Sequence, residues 1–190
     1  EDCKNLDHKQ VDQITAFLFT NGGHDNPKVL VQNSGKSFQG SCVLGMGFTF
    51  SKSTNEDDDS PGNPSSLSIM EELISAHPKN MEVIQPYIGG EDINSSPTHL
   101  HSRYVINFGE KNENECRGKW PELFNIVEKR VKPERLDMKD KGAKQYWWRF
   151  LRTRPELYRS LKNMNKVLVT TRVQSNWHPV FVNSQQVFSD

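Results

Sequence analysis

At 190 residues the chain is long enough for one domain, or one domain plus a small appendage, with a core that needs no covalent staples. Only 34% of its residues are hydrophobic and the mean hydropathy is -0.76. No apolar run approaches the roughly 20 residues that span a bilayer, which excludes a membrane segment. The balanced charge, 24 Lys+Arg against 24 Asp+Glu, hides an asymmetry: residues 1–110 carry 7 basic and 15 acidic side chains, and residues 111–190 carry 17 and 9. Within 129–172 the count is 14 basic against 4 acidic. A block of that kind suits a polyanion, because each neutralised phosphate releases condensed counterions. The other reading is a solvated face that pairs with the acidic half of the same protein.

The chain opens at Glu1 without a basic start, an apolar stretch or a small-residue cleavage site, so no signal peptide is expected. The missing initiator Met suggests a fragment or a processed chain. Three widely spaced cysteines, Cys3, Cys42 and Cys116, argue against a disulfide framework and against a cysteine-based zinc site. A reducing, cytoplasmic setting is the simplest expectation.

In chain order, Val11, Ile14, Phe17 and Leu18 have helical spacing within residues 7–24, closed by Asn21-Gly22-Gly23. This predicts an N-terminal helical lead-in over 1–25, ahead of one larger domain at 26–190. Val29-Leu30-Val31 and Cys42-Val43-Leu44 read as short strands. Gly45-Met46-Gly47-Phe48-Thr49-Phe50 alternates as a half-buried strand does. Residues 51–66 are acidic and dense in Ser, Asn, Gly and Pro, a surface loop unsuited to DNA. Ser68 precedes a helix carrying Met70, Leu73 and Ile74, with Glu71 and Glu72 in its first turn and a stop near His77-Pro78.

Val83-Ile84 leads into a turn at Pro86-Tyr87-Ile88-Gly89-Gly90, and Tyr104 to Phe108 form a strand closed by Gly109. Pro121 opens a helix running to Lys132-Pro133, and a charged linker follows over 134–145. After Tyr146-Trp147-Trp148-Arg149-Phe150, of which at least one Trp should be buried, comes a helix from Pro155 to Met164 with Leu157, Tyr158 and Leu161 inward. Val167 to Thr170 is a strand, and Pro179 to Val182 pairs with it or with Gln186 to Phe188. Short strands and helices interleaved without regular βαβ units predict an α+β fold, a mixed or antiparallel sheet with flanking helices.

Catalytic signals are missing. Gly45-Met46-Gly47 follows a strand, but β pattern continues where a cofactor-binding loop needs a helix, so the glycines mark a bulge or a close backbone approach. Asn26-Pro27 and Asn63-Pro64 lack the second Pro and the aromatic residue that adenine methyl transfer uses. Asp137-Met138-Lys139 has the acidic-x-Lys spacing of a metal-dependent nuclease but sits in the charged linker. His99 and His101 have neither helical i, i+4 spacing nor a nearby Cys, so no metal site is expected.

A binding surface remains. Arg149, Arg152 and Arg154 follow the paired Trp residues, and guanidinium forks suit phosphate. Arg172-Val173-Gln174-Ser175-Asn176-Trp177-His178 lies between two strands and gathers side chains whose donors and acceptors match base edges, although an ordinary polar hairpin loop has the same composition.

Five blocks in sequence order then resemble one family. Ser37-Phe38-Gln39-Gly40-Ser41 with Gly45-Met46-Gly47-Phe48 resembles the opening of the target-recognition region in large adenine-N6 DNA methyltransferases of the MmeI-like and type IIG restriction-modification groups. Pro86 to Ser95 is similar to the family's Pro-Tyr-x-x-Gly-Glu-Asp-x-Asn block, with one extra residue before Glu91. Arg103 to Phe108 resembles its Arg-aromatic-Val-Ile-(Asn/Asp)-Phe strand, and Val131 to Arg135 its Val-Lys-Pro-x-Arg. Tyr146-Trp147-Trp148 precedes Val167-Leu168-Val169, which in the family leads into the recognition strands. The likeness covers about residues 26–190.

What it implies is a non-catalytic, target-recognition-domain-like module of a bacterial enzyme. Its partners would be double-stranded DNA and the methyltransferase domain of the parent chain. S-adenosylmethionine and any nuclease would belong to the parent, and this chain would hold no cofactor. The family's pattern continues past Phe188, so the module is expected to be incomplete at its C-terminus. Lys132, Arg135, Arg149, Arg152 and Arg154 are the expected phosphate contacts. Arg172, Gln174, Ser175, Asn176 and His178 are the expected base readers. The alternative is a scaffold domain docking on the catalytic domain of the same enzyme.

Overall fold

The computed structural model describes residues 4–20, 28, 31–52, 60–174 and 177–190. Its contacts divide the chain into two units, Glu1–Phe38 and Gln39–Asp190. In the first, strand β1 (Lys4–Leu6) pairs antiparallel with β2 (Lys9–Val11). Asp7 and His8 between them both have positive φ, 49° and 64°, the left-handed pair a tight hairpin turn requires. The helix expected from Val11 onward is therefore not formed in the described residues. The Thr15 hydroxyl accepts the N–H groups of Phe17 and Phe19 in a local turn, and Phe17 and Leu18 are exposed. A side-chain acceptor that competes for backbone donors has outweighed apolar spacing. Val31 begins a short 3-10 turn rather than a strand, while Val29 and Leu30 lie outside the described residues.

The second unit is α+β. Its sheet is mixed and five-stranded, from β3 (Thr49–Ser51), β4 (Ser65–Ser66), β5 (Ile84–Ile88), β6 (Arg103–Ile106) and β9 (Val187–Phe188), in the order β4-β3-β6-β5-β9. The β3–β6 and β6–β5 pairs are antiparallel, whereas β3–β4 and β5–β9 are parallel. Helices α1 (Leu67–Ala76), α2 (Gly90–Asn94), α3 (Glu113–Lys119), α4 (Pro121–Arg130), α5 (Lys132–Asp137), α6 (Lys141–Gln145) and α7 (Pro155–Leu161) flank it. A separate ribbon joins β7 (Lys166–Val169) to β8 (Val180–Asn183).

Local chemistry explains most boundaries. The Ser66 hydroxyl accepts the Ile69 N–H and caps α1, two residues earlier than the predicted start, so Glu71 and Glu72 fall outside its first turn. The expected turn at Pro86 is instead strand β5. Pro86 faces Tyr104 of β6, and β9 reaches only Tyr87 and Ile88, so a residue without an N–H is tolerated there. The expected linker 134–145 holds α5 and α6. Pro133 sits in the first turn of α5, where its missing N–H costs nothing, and the Asp140 carboxylate caps α6 through Ala143 N–H.

Cys42 makes one isolated bridge, to Arg152, instead of a strand. Met46 to Phe48 turn in 3-10 form, and the strand begins only at Thr49. Gly47 marks a close approach, as expected: a Cβ there would lie 2.7 Å from the Cβ of Arg130.

One core joins Phe48, Phe50, Ile84, Val105 and Ile106 to Trp120, Phe124, Val127, Trp147, Trp148 and Phe150. Both paired Trp residues are buried, at 5% and 6% exposure. Cys116 lies in this core, and burial raises its thiol pKa from 9.0 to about 11. The folded chain thus holds that proton longer than the unfolded chain does. The associated stability is intact below about pH 9 and is lost as pH rises through about 11. Urea midpoints measured over this window should show wild type losing about 2–3 kcal/mol more than Cys116→Ala, a difference that isolates the thiol from other groups titrating there.

Among the described residues, no helix is long and apolar enough to cross a membrane.

Candidate nucleic-acid interface

The basic block does not form one free cationic face. Arg135 is 1% exposed and donates to the carbonyl oxygens of Val43 (2.8 Å) and Arg149 (3.3 Å), with its guanidinium 5.8 Å from the Phe48 ring centre. Burial holds its pKa below the usual arginine range, and Nε and Nη1 have no hydrogen-bond partner among the described residues. The expectation that Arg135 contacts phosphate is corrected: a side chain this buried braces the core. Arg149 donates to the Lys111 carbonyl from Nε and Nη2, at 3.0 and 2.7 Å, and lies against the rings of Tyr146 and Trp148. Arg154 donates to Gly40 O and Gln39 Oε1. Lys132 pairs with Glu128 at 2.7 Å and sits over Trp147. Arg152 is the exposed member of the set; its backbone bridges Cys42 and its Nη1 bonds only the adjacent Leu151 carbonyl. Arg135, Arg149 and Arg152 do share the wall of a cavity of about 220 Å³, together with Glu110, Tyr146 and Thr153. Asp137 and Lys139 are exposed at and just beyond the end of α5.

The predicted reading loop fares differently. It joins β7 to β8, an antiparallel ribbon in which Lys166 faces Asn183, Val167 faces Val182, Leu168 faces Phe181 and Val169 faces Val180. Alternation splits the ribbon into two faces. Val182 is buried and Val167, Val169 and Val180 are half-buried, while Lys166, Leu168, Phe181 and Asn183 are exposed. Asn94 of α2 tethers the loop by donating to the Val173 carbonyl at 3.3 Å, and the Thr171 hydroxyl lies 3.0 Å from both Asn94 Oδ1 and Gln174 Oε1. Ser184 fastens the other end through its backbone N–H to Asn165 O and its hydroxyl to Met164 O.

Arg172 is exposed and pairs with Asp190 at 2.9 Å. Gln174 is half-buried and donates to the Thr170 hydroxyl. His178 is exposed, its ring 5.8 Å from that of His99. Ser175 and Asn176 lie outside the described residues.

Sequence reasoning passed over Trp177, exposed to 79%, and the outward pair Leu168 (54%) and Phe181 (69%). The signal was present as a period-2 pattern, but which side faces inward depends on what the ribbon packs against. Residues 157–189 contain Arg159, Lys162, Lys166 and Arg172 and no Asp or Glu, while Asp190, the next residue, pairs with Arg172.

The second unit is thus an α+β domain of mixed sheet that carries a two-stranded ribbon with exposed Lys166 and an apolar outward pair. Over 95% of its length the chain is similar in fold to part of a solved structure, the type IIL restriction-modification enzyme MmeI in complex with DNA, with a TM-score of 0.54 at 16% sequence identity. It spans 22% of the length of that chain. No family model and no curated protein matches the sequence.

Proposed function

We propose that this chain is a sequence-specific duplex DNA recognition module of a restriction-modification enzyme, non-catalytic by itself. It would act beside an adenine-N6 methyltransferase domain that binds S-adenosylmethionine, in a bacterial cytoplasm. The observation that carries this reading is the β7–β8 ribbon, an exposed two-stranded element in a segment with four cations and no carboxylate between residues 157 and 189. Such a ribbon fits the major groove, where each base pair shows a distinct pattern of donors and acceptors. The fold likeness to a DNA-complexed restriction-modification enzyme supports it. Arg172, Gln174, Ser175, Asn176 and His178 remain the proposed base readers. Arg152 is joined by Lys166 as a phosphate contact, whereas Lys132, Arg149 and Arg154 would have to engage phosphate while holding their present partners.

The test is selection from a randomised duplex pool by the 190-residue chain, followed by sequencing. A defined motif should emerge, and Arg172→Ala should broaden it by roughly 1–3 kcal/mol at one base position. Lys166→Ala should instead weaken binding to all duplexes and reduce the salt slope by about one. A pool that stays random overturns the reading. The scaffold alternative draws on the same exposed Leu168, Phe181 and Trp177, which would then bury against the catalytic domain. It predicts binding to that domain with no enriched DNA motif.

A further inference from the structure

The ribbon's outward side holds a feature that phosphate binding and hydrogen-bonded reading leave unexplained. Leu168 and Phe181 are direct cross-strand partners, so their side chains stand together on one face, and both are more than half exposed. On that face the pair is flanked by exposed Lys166 and by Asn183, whose Oδ1 already accepts the Gln185 N–H. A folded chain gains nothing by holding a large aliphatic and a large aromatic side chain in water beside the ribbon's one lysine, Lys166. The four valines opposite already anchor it. A ligand that fits this face sets an anionic group beside Lys166 and an apolar group over Leu168 and Phe181.

Duplex DNA seen down the major groove has that character. Phosphates line both edges, and the C5-methyl groups of thymine are the apolar points on the floor. Resting on the duplex-reading function proposed above, we infer that Leu168 and Phe181 form an apolar contact that selects thymine through its C5-methyl group. Lys166 steers the ribbon to the groove edge, and the loop 172–178 reads neighbouring base edges by hydrogen bonds. The pair thus distinguishes A·T from G·C by an apolar contact rather than by a hydrogen bond.

The test uses the motif enriched from the randomised pool by the full chain. The enriched duplexes are resynthesised with deoxyuridine in place of thymidine, one position at a time, which removes one methyl group and leaves every hydrogen-bonding edge intact. At one or two positions the uracil duplex should bind roughly three- to tenfold more weakly than its thymine counterpart. In Phe181→Ser and Leu168→Ser the thymine-to-uracil ratio at those positions should collapse toward one. Both sites are exposed, and an unchanged melting temperature would verify that the variants fold. Enriched motifs without thymine, or uracil duplexes bound as tightly as thymine ones, overturn this inference and leave the duplex-reading function standing. A pool with no enriched motif overturns both. A ratio that persists in the two serine variants also overturns it, by assigning the methyl contact to other residues.

Discussion

Asp92→Ala is expected to lower the unfolding free energy by about 2–4 kcal/mol, read from urea titrations of the 190-residue chain. Asp92 is 5% exposed and is the hub of the Gly-Gly-Glu-Asp segment. Its Oδ2 accepts the Gly89 N–H at 2.9 Å, its Oδ1 accepts the Ser102 hydroxyl at 2.7 Å, and Arg103 Nη2 lies 3.7 Å away while the guanidinium stacks on Tyr87. Alanine leaves the buried Gly89 N–H and the Ser102 hydroxyl without their acceptor, and removes the carboxylate that faces the partly exposed Arg103 guanidinium. A Cβ at Gly89 would sit 2.9 Å from Arg103 Nη2, so a larger residue there would displace the end of that side chain from the cluster. Asp92→Asn keeps the shape and one acceptor, so it should lose roughly half as much. The damage reaches the ribbon as well, because Asn94 of α2 tethers the loop through Val173 and Thr171. A loss below about 1 kcal/mol in Asp92→Ala would mean that water replaces the carboxylate and that the cluster does not organise this end of the sheet.

Trp120→Ala should be comparably severe, about 3–5 kcal/mol, with a fall in Tm on the order of 10 °C for a chain of this size. Trp120 is 2% exposed, packs on Phe108 at 6.1 Å between ring centres, and donates its indole N–H to the Lys79 carbonyl at 3.1 Å. Removing it opens a cavity between α3, α4 and the segment before β5, and leaves that carbonyl without its donor. Trp120→Phe refills most of the volume and loses mainly the hydrogen bond, worth about 1 kcal/mol. Trp177→Ala is the matched control. At 79% exposure its effect on stability should stay within about 0.5 kcal/mol. Equal losses at the two positions would mean that the ribbon tip is packed rather than free.

The comparison between these two tryptophans shows how unevenly function and fold can be read from residues alone. The His77-Pro78 stop ends α1, Pro121 opens α4, Arg103 to Ile106 form a strand, and each was legible because proline geometry and side-chain alternation act within a few residues; the start of α1 was read at Ser68, two residues beyond the Ser66 cap. The ribbon was legible for the same reason, and so was the cationic block as a count. The Gly45-Met46-Gly47 run was half legible: close approach was foreseen, but the 3-10 turn was not.

Tertiary structure decided what the charges do. Arg135, Arg149 and Arg154 donate to the carbonyls of Val43, Lys111 and Gly40, which lie in irregular segments whose backbone acceptors have no regular ladder to satisfy them. A long cation adopts whatever acceptor the fold leaves open, and that acceptor lies 92, 38 and 114 residues away in these three cases. The same holds for β9, which meets β5 in parallel about 100 residues downstream, and for the outward placement of Leu168 and Phe181. Local sequence sets the period of a strand, but only the packed neighbours choose which of its two faces meets water.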